Sequence, residues 1–147
     1  MIKNIFILIV LVLYSGCSIK RDVIPVKELK SNEICIIEDK AVKEGFVKAY
    51  KRALEEMGYE VTILPSSETI ASCSIVSTYL GRWSWDLAIY LSKVDINVFQ
   101  NTKKVGSVTY DSTLGGLNFN KFVNGSDLIT SLVRELFSGT VLPQNNE

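Results

Sequence analysis

Apolar residues change their spacing several times along this chain, and each change predicts a different element. Ile5 to Leu13 is an unbroken apolar run of nine residues. Residues 18–32 are mostly polar, with isolated aliphatics, Pro25 and no period, which predicts a tether. Ile34-Cys35-Ile36-Ile37 is a short, mainly β-branched run suited to a buried strand. Val42, Phe46, Ala49 or Tyr50, Ala53 or Leu54, and Met57 then recur at steps of three and four, with charged residues between them and Gly58 placed as a C-terminal cap. That spacing predicts a helix over 40–57. Tyr59 to Leu64 alternates Glu60 and Thr62 against Val61 and Ile63 and stops at Pro65, giving a second strand. Strand, helix, strand implies a right-handed parallel crossover.

From Ser72 the period becomes two. Strands are predicted over 72–81, 88–100 and 104–113, with a turn at Asn101-Thr102-Lys103-Lys104 joining the last two into a hairpin. Leu128, Ile129, Leu132, Val133, Leu136 and Phe137 form the apolar face of a second helix, with Ser126 as N-cap and Gly139 past its end. Nothing in the chain repeats. The sum is an α+β domain, a mixed five-stranded sheet in the order β-α-β-β-β-α, with two helices on one face and the other at least partly open to solvent. Its divisions are a leader at 1–16, a tether at 17–32, the domain at 33–139 and a tail at 140–147 that should fray.

The N-terminus carries chemistry of its own. Lys3 precedes the nine-residue apolar run, whose length matches the h-region of a secretory signal, about 7 to 15 residues, and falls short of the roughly 20 of a membrane-spanning helix. Leu13-Tyr14-Ser15-Gly16-Cys17 follows and resembles the lipobox of bacterial lipoproteins. Small Ser15 and Gly16 suit cleavage before Cys17; Tyr14 stands where an aliphatic residue is usual. The resemblance implies removal of residues 1–16 and lipid on the Cys17 thiol, the alternatives being an uncleaved anchor or an ordinary secreted protein. Each buried methylene contributes about 0.8 kcal/mol, so two or three acyl chains hold a protein on a bilayer durably. Ser18, in place of the Asp that resembles an inner-membrane retention signal, favours the outer membrane, with the domain facing the periplasm.

Removing residues 1–16 from the 147 leaves 131, enough for one domain with a real core. The leader holds Lys3 and no acid, so 15 basic and 16 acidic side chains are left, dispersed along the chain. Such a balance excludes a nucleic-acid binder and leaves membrane attachment to the lipid. With Cys17 consumed by lipid, Cys35 and Cys73 form an even pair in a compartment that permits oxidation, which predicts a disulfide; two buried thiols are the alternative. Closing a loop of that size contributes about 4 kcal/mol in the chain-entropy model. A bridge would also place the two cysteines on adjacent strands.

The order lipobox, Cys35-Ile36-Ile37-Glu38, Met57-Gly58-Tyr59, Ser72-Cys73-Ser74, Trp85-Asp86, Tyr90-Leu91 and Gly115-Gly116-Leu117 resembles the Sbal-type family of small proteobacterial lipoproteins. That likeness implies a fold and a location but no activity. The element order is also similar to lipoprotein activators of penicillin-binding proteins and to periplasmic assembly lipoproteins, an analogy of fold alone.

The chain has no histidine, which excludes a Ser-His-Asp triad, a Cys-His pair and histidine-ligated zinc. It has no glycine-rich phosphate loop, and two separated cysteines make no metal site. The adjacent acids Glu38 and Asp39, and Glu55 and Glu56, read as solvated surface. Neither an enzymatic activity nor a cofactor is expected. Tyr79, Arg82, Trp83 and Trp85 are the candidate binding residues, because an extended backbone puts Tyr79, Trp83 and Trp85 on one face and Arg82 and Asp86 on the other. Exposed, these rings would anchor a protein partner or stack on a sugar; buried, they are core. The hairpin face of Lys93, Asp95, Asn97 and Phe99, polar apart from Phe99, reads as solvent-facing. The expectation is a non-enzymatic envelope lipoprotein that contacts a protein partner, with peptidoglycan or glycan binding as the alternative.

Overall fold

The computed structural model describes residues 18–116 and 118–140; the leader, Cys17 and residues 141–147 lie outside the described residues. Along the chain run β1 (Lys20–Ile24), β2 (Glu33–Ile37), α1 (Glu44–Glu56), β3 (Glu60–Leu64), β4 (Ile75–Asp86), β5 (Ala88–Gln100), β6 (Lys103–Asp111), a single 3-10 turn (Phe119–Phe122) and α2 (Gly125–Leu136). They form one mixed sheet in the order β1-β6-β5-β4-β2-β3. β2 runs parallel to β3 and β4, and the other pairs are antiparallel.

The sheet therefore has six strands where the pattern predicted five, and the sixth comes from the stretch read as a tether. β1 pairs residue by residue with β6, from Lys20 opposite Asp111 to Ile24 opposite Ser107. Five residues of an edge strand with one half-buried side chain carry almost no hydrophobic period. What holds them is further along: Val26 and Leu29 are 0% and 3% exposed. The Val26 N–H donates to the Leu136 carbonyl at 2.8 Å, satisfying an end of α2 that has no partner of its own. Thr140, expected in the frayed tail, instead donates its hydroxyl to the Val26 carbonyl at 2.9 Å.

Both helices lie on one face. α1 ends as its sequence indicates: Gly58, at φ 91°, and Tyr59 donate to the Glu55 and Leu54 carbonyls, a Schellman closure that needs the left-handed glycine. The cap of α2 is Asn124 instead of Ser126, its side chain accepting from the Ser126 N–H at 2.9 Å. Phe46, Tyr50, Leu54, Ile129, Leu132 and Leu136 from the two helices are fully buried against Ile36, Ile75, Leu91 and Ile96 of the sheet. Asn101 and Thr102 turn the β5–β6 hairpin with φ 50° and 66°, the two left-handed residues of a type I′ turn.

β4 starts at Ile75, three residues later than predicted, and runs five residues further, to Asp86. Before it, Thr69 N–H donates to Ser72 Oγ, and Ser72 Oγ to Glu68 Oε2. Such local side-chain bonds compete with a ladder and hold 68–72 as turns. Cys73 follows directly, bridged to Cys35 of β2 with 6.3 Å between Cα atoms. The cysteines pair as expected, although Cys73 precedes its strand instead of lying on it.

Two changes probe these supports. A Cβ on Gly106 would lie 2.5 Å from Val26 Cγ2 and 3.1 Å from the Val26 nitrogen, so Gly106→Ala should lower unfolding free energy by about 1–3 kcal/mol in urea titration. Replacing Cys35 and Cys73 together by serine should lower it by about 2–4 kcal/mol, and free-thiol labelling of the oxidised wild type should find neither cysteine reactive.

Candidate functional site

Within β4, alternation places Tyr79, Gly81, Trp83 and Trp85 on the helix-covered face and Leu80, Arg82, Ser84 and Asp86 on the other. The four residues singled out from sequence thus occupy four different environments. Tyr79 is core: its ring stacks on Phe46 at 4.8 Å and 10°, and its hydroxyl accepts from the Asp39 N–H. Burial raises its pKa, as it does more strongly for Tyr50, whose hydroxyl meets Ser77 Oγ at 2.7 Å. Trp83 is half-buried, edge-on to Phe46, with the Lys43 ammonium 5.1 Å above its ring. Trp85 is 75% exposed, beyond the reach of both helices, and Arg82 is exposed on the opposite face.

Gly81 makes this possible. A Cβ there would lie 2.7 Å from Phe46, so glycine lets the helix settle onto the strand. Where α1 begins, an open groove of about 400 Å³ is lined by Asp39, Val42, Lys43, Leu80, Arg82 and Trp83. It brings Arg82 and Trp83 together and leaves Tyr79 beneath it and Trp85 outside.

The uncovered face has an order that strand pairing creates. Lys20, Asp111, Lys93 and Arg82 lie side by side across β1, β6, β5 and β4. The next row is Asp22, Thr109, Asp95 and Leu80. One row has three cations and one anion, its neighbour two anions and no cation. Within the basic row Asp111 is held by Lys93 at 3.0 Å and by the Thr113 N–H and hydroxyl. Lys93, Asp95 and Asn97 do face this side, as alternation predicts.

Toward the β4–β5 turn this face is covered by the 3-10 segment. Lys121, 4% exposed, reaches Asp86 and the Gly116 carbonyl with Nζ and lies over the rings of Tyr90 and Phe122 at 5.4 and 5.2 Å. Sequence reasoning did not find this cluster. An isolated lysine in a polar loop reads as surface, and only folding brings it 35 positions back to Asp86. No group of three or more potential metal ligands occurs among the described residues, and no helix there is long and apolar enough to cross a membrane.

No protein-family model matches the chain, and no curated protein matches it. Solved structures do. A variant of PelC from Paraburkholderia phytofirmans, solved as a dodecamer, is 14% identical over 86% of this chain and 100% of its own, with a TM-score of 0.56. A second PelC dodecamer from that organism is 13% identical over 84% and 98%, at 0.53. A minor lipoprotein from Acinetobacter baumannii aligns more loosely, at 13% identity over 74% and 92% and a TM-score of 0.41. The fold is PelC-like.

The basic row is open to titration. Hydrogen bonds from Thr113, and then the Lys93 ammonium, hold the Asp111 carboxyl at about 2, below its ordinary 3.8. A carboxylate depressed on folding stabilises the fold above its unfolded pKa and loses that contribution as pH falls through the folded one. For Asp111 the window is pH 3.8 down to about 2. Its side-chain carbon should titrate by NMR with a midpoint near 2, and a midpoint at 3.8 would show that Thr113 and Lys93 do not hold it.

Proposed function

We propose that this chain is an envelope lipoprotein, held on a membrane by lipid on Cys17, that binds a protein partner and catalyses no reaction. The domain faces the periplasm, and Ser18 favours the outer membrane as its site. The observation that carries this reading is the pair of oppositely charged rows on the uncovered sheet face. Matching rows of opposite sign give a partner its register and orientation more than its affinity. Affinity comes from the adjoining groove, where Trp83, Arg82 and Leu80 are the side chains best suited to anchor a partner.

A glycan, peptidoglycan in particular, is the second reading. What favours it is the half-buried Trp83 ring between Lys43, Arg82 and Asp39, an apolar platform with charged groups at its rim.

Cross-linking in intact cells from a photoreactive residue at position 80 should capture one specific envelope protein from the anchored form and lose it with Cys17→Ser. A second copy of this chain recovered there would assign the face to self-assembly. Cosedimentation with purified sacculi, lost on Trp83→Ala, would instead favour the glycan. Adducts no different from those of a photoreactive residue at position 51, on the outer side of α1, would remove the partner reading.

A further inference from the structure

The β4–β5 hairpin projects past the helices and ends in apolar side chains. Trp85 and Ile89 face each other across it at 75% and 65% exposure, and Leu87 at the turn is 80% exposed. Leu87 also has φ 60°, a left-handed conformation in which asparagine or glycine would be easier and more soluble. Phe119, 73% exposed, lines a small cleft with Leu87. Isolated apolar residues on a surface need no explanation, but four large ones gathered at one end of a domain do.

The start of the described chain lies at the same end. A Cβ on Gly115 would touch Ile19 at 3.5 Å and Lys121 at 3.8 Å, and Lys121 holds Asp86, the residue before Leu87. Two peptide units separate Ile19 from Cys17, a reach of about 7 Å. Lipid on Cys17 therefore brings this end of the sheet to the bilayer surface, with no slack to hold the domain away. The charge agrees: the basic row of Lys20, Lys93 and Arg82 is the one nearer this end, and the acidic row is the next one back. Anionic headgroups attract the first and repel the second. Trp, Leu, Ile and Phe beside a basic row is also the composition of a surface that lies in the membrane interface.

We infer that the hairpin tip, Trp85, Leu87 and Ile89 with Phe119 beside it, inserts into the interface of the same bilayer that holds the lipid, fixing the domain's orientation at a second point. The inference rests on the Cys17 anchor proposed above and adds to it a specific face and depth.

Trp83→Phe leaves Trp85 as the sole tryptophan of the chain. This variant, expressed from the full-length chain and purified in its processed form, is reconstituted into vesicles of phosphatidylethanolamine and phosphatidylglycerol. Intact mass reads the lipid on Cys17 separately from the optical signal. Insertion predicts that Trp85 emission shifts to the blue, is quenched by lipids brominated high on their acyl chains, and is shielded from acrylamide. Adding Leu87→Asn, which suits the left-handed turn and should leave the melting temperature unchanged or raised, should reduce the quenching. Trp85 open to acrylamide and untouched by brominated lipid, on protein of the lipidated mass, overturns the insertion while the anchor stands. Shielding from both quenchers overturns it in favour of a protein or a second copy on the tip. Protein without the lipid mass overturns the anchor, and brominated vesicles added to it then read the tip alone, quenching supporting the insertion and its absence refuting it.

Discussion

The close approach of Val26 to Gly106 is the constraint on which the rest of the arrangement depends. Only a residue without a side chain leaves room there, and through that opening the segment after β1 reaches the C-terminal end of α2. Val26 gives its N–H to α2, receives the Thr140 hydroxyl on its carbonyl and buries its side chain completely. The first and last described elements are thereby fastened to each other and to β6. Arg21 and Glu135 add an ion pair at 2.6 Å, partly exposed and of small energy, that joins the same two elements. Because β1 is fixed in this way, the described residues begin at the end of the sheet where the β4–β5 hairpin projects.

A bulge in β5 then decides what that hairpin presents. Arg82 pairs with Lys93 and Trp83 with Leu91, so Ser92 is the extra residue. Its hydroxyl and carbonyl are both satisfied: Ser92 Oγ donates to the Arg82 carbonyl, and the Ser92 carbonyl accepts from Ser112 N–H and Oγ. The extra residue keeps Val94 and Leu91 both on the core face although three positions separate them. Beyond it the apolar stripe continues through Trp85 and Ile89, where no helix lies over it. An apolar stripe that outlasts its cover is either a defect or a surface with something to meet.

The two faces of the sheet divide the labour. One carries the core, and its buried polar atoms are few and paired, as in the Tyr50 hydroxyl, Ser77 and the Asn97 carbonyl. The other carries charge in rows that arise only because four strands align, two of them from opposite ends of the sequence. The sheet edges are guarded in the usual manner, with Lys20, Arg21, Asp22 and then Pro25 along β1 and with Glu60 and Thr62 alternating along β3.

Much of this was legible in the residues themselves. Two amphipathic helices, the α1 cap at Gly58, the crossover from β2 to β3, the bounds of β5 and the cysteine pair all follow from local periodicity and turn chemistry, which act over a few residues and so are written in sequence. The alternation that separates Trp83 from Arg82 is of the same kind. Tertiary structure alone decided the rest. β1 has no period to announce it, because its support comes from Gly106 and Leu136, more than 80 positions away. Whether Tyr79 or Trp85 is buried depends on where α1 begins over the sheet, not on the residues beside them. Lys121 is a surface residue by its neighbours and a buried one by its partners. The rows of charge are sums over strands far apart in sequence, and no window along the chain contains them; Trp85, Leu87 and Ile89 share one short window, but only the fold leaves them uncovered at the end where the described residues begin.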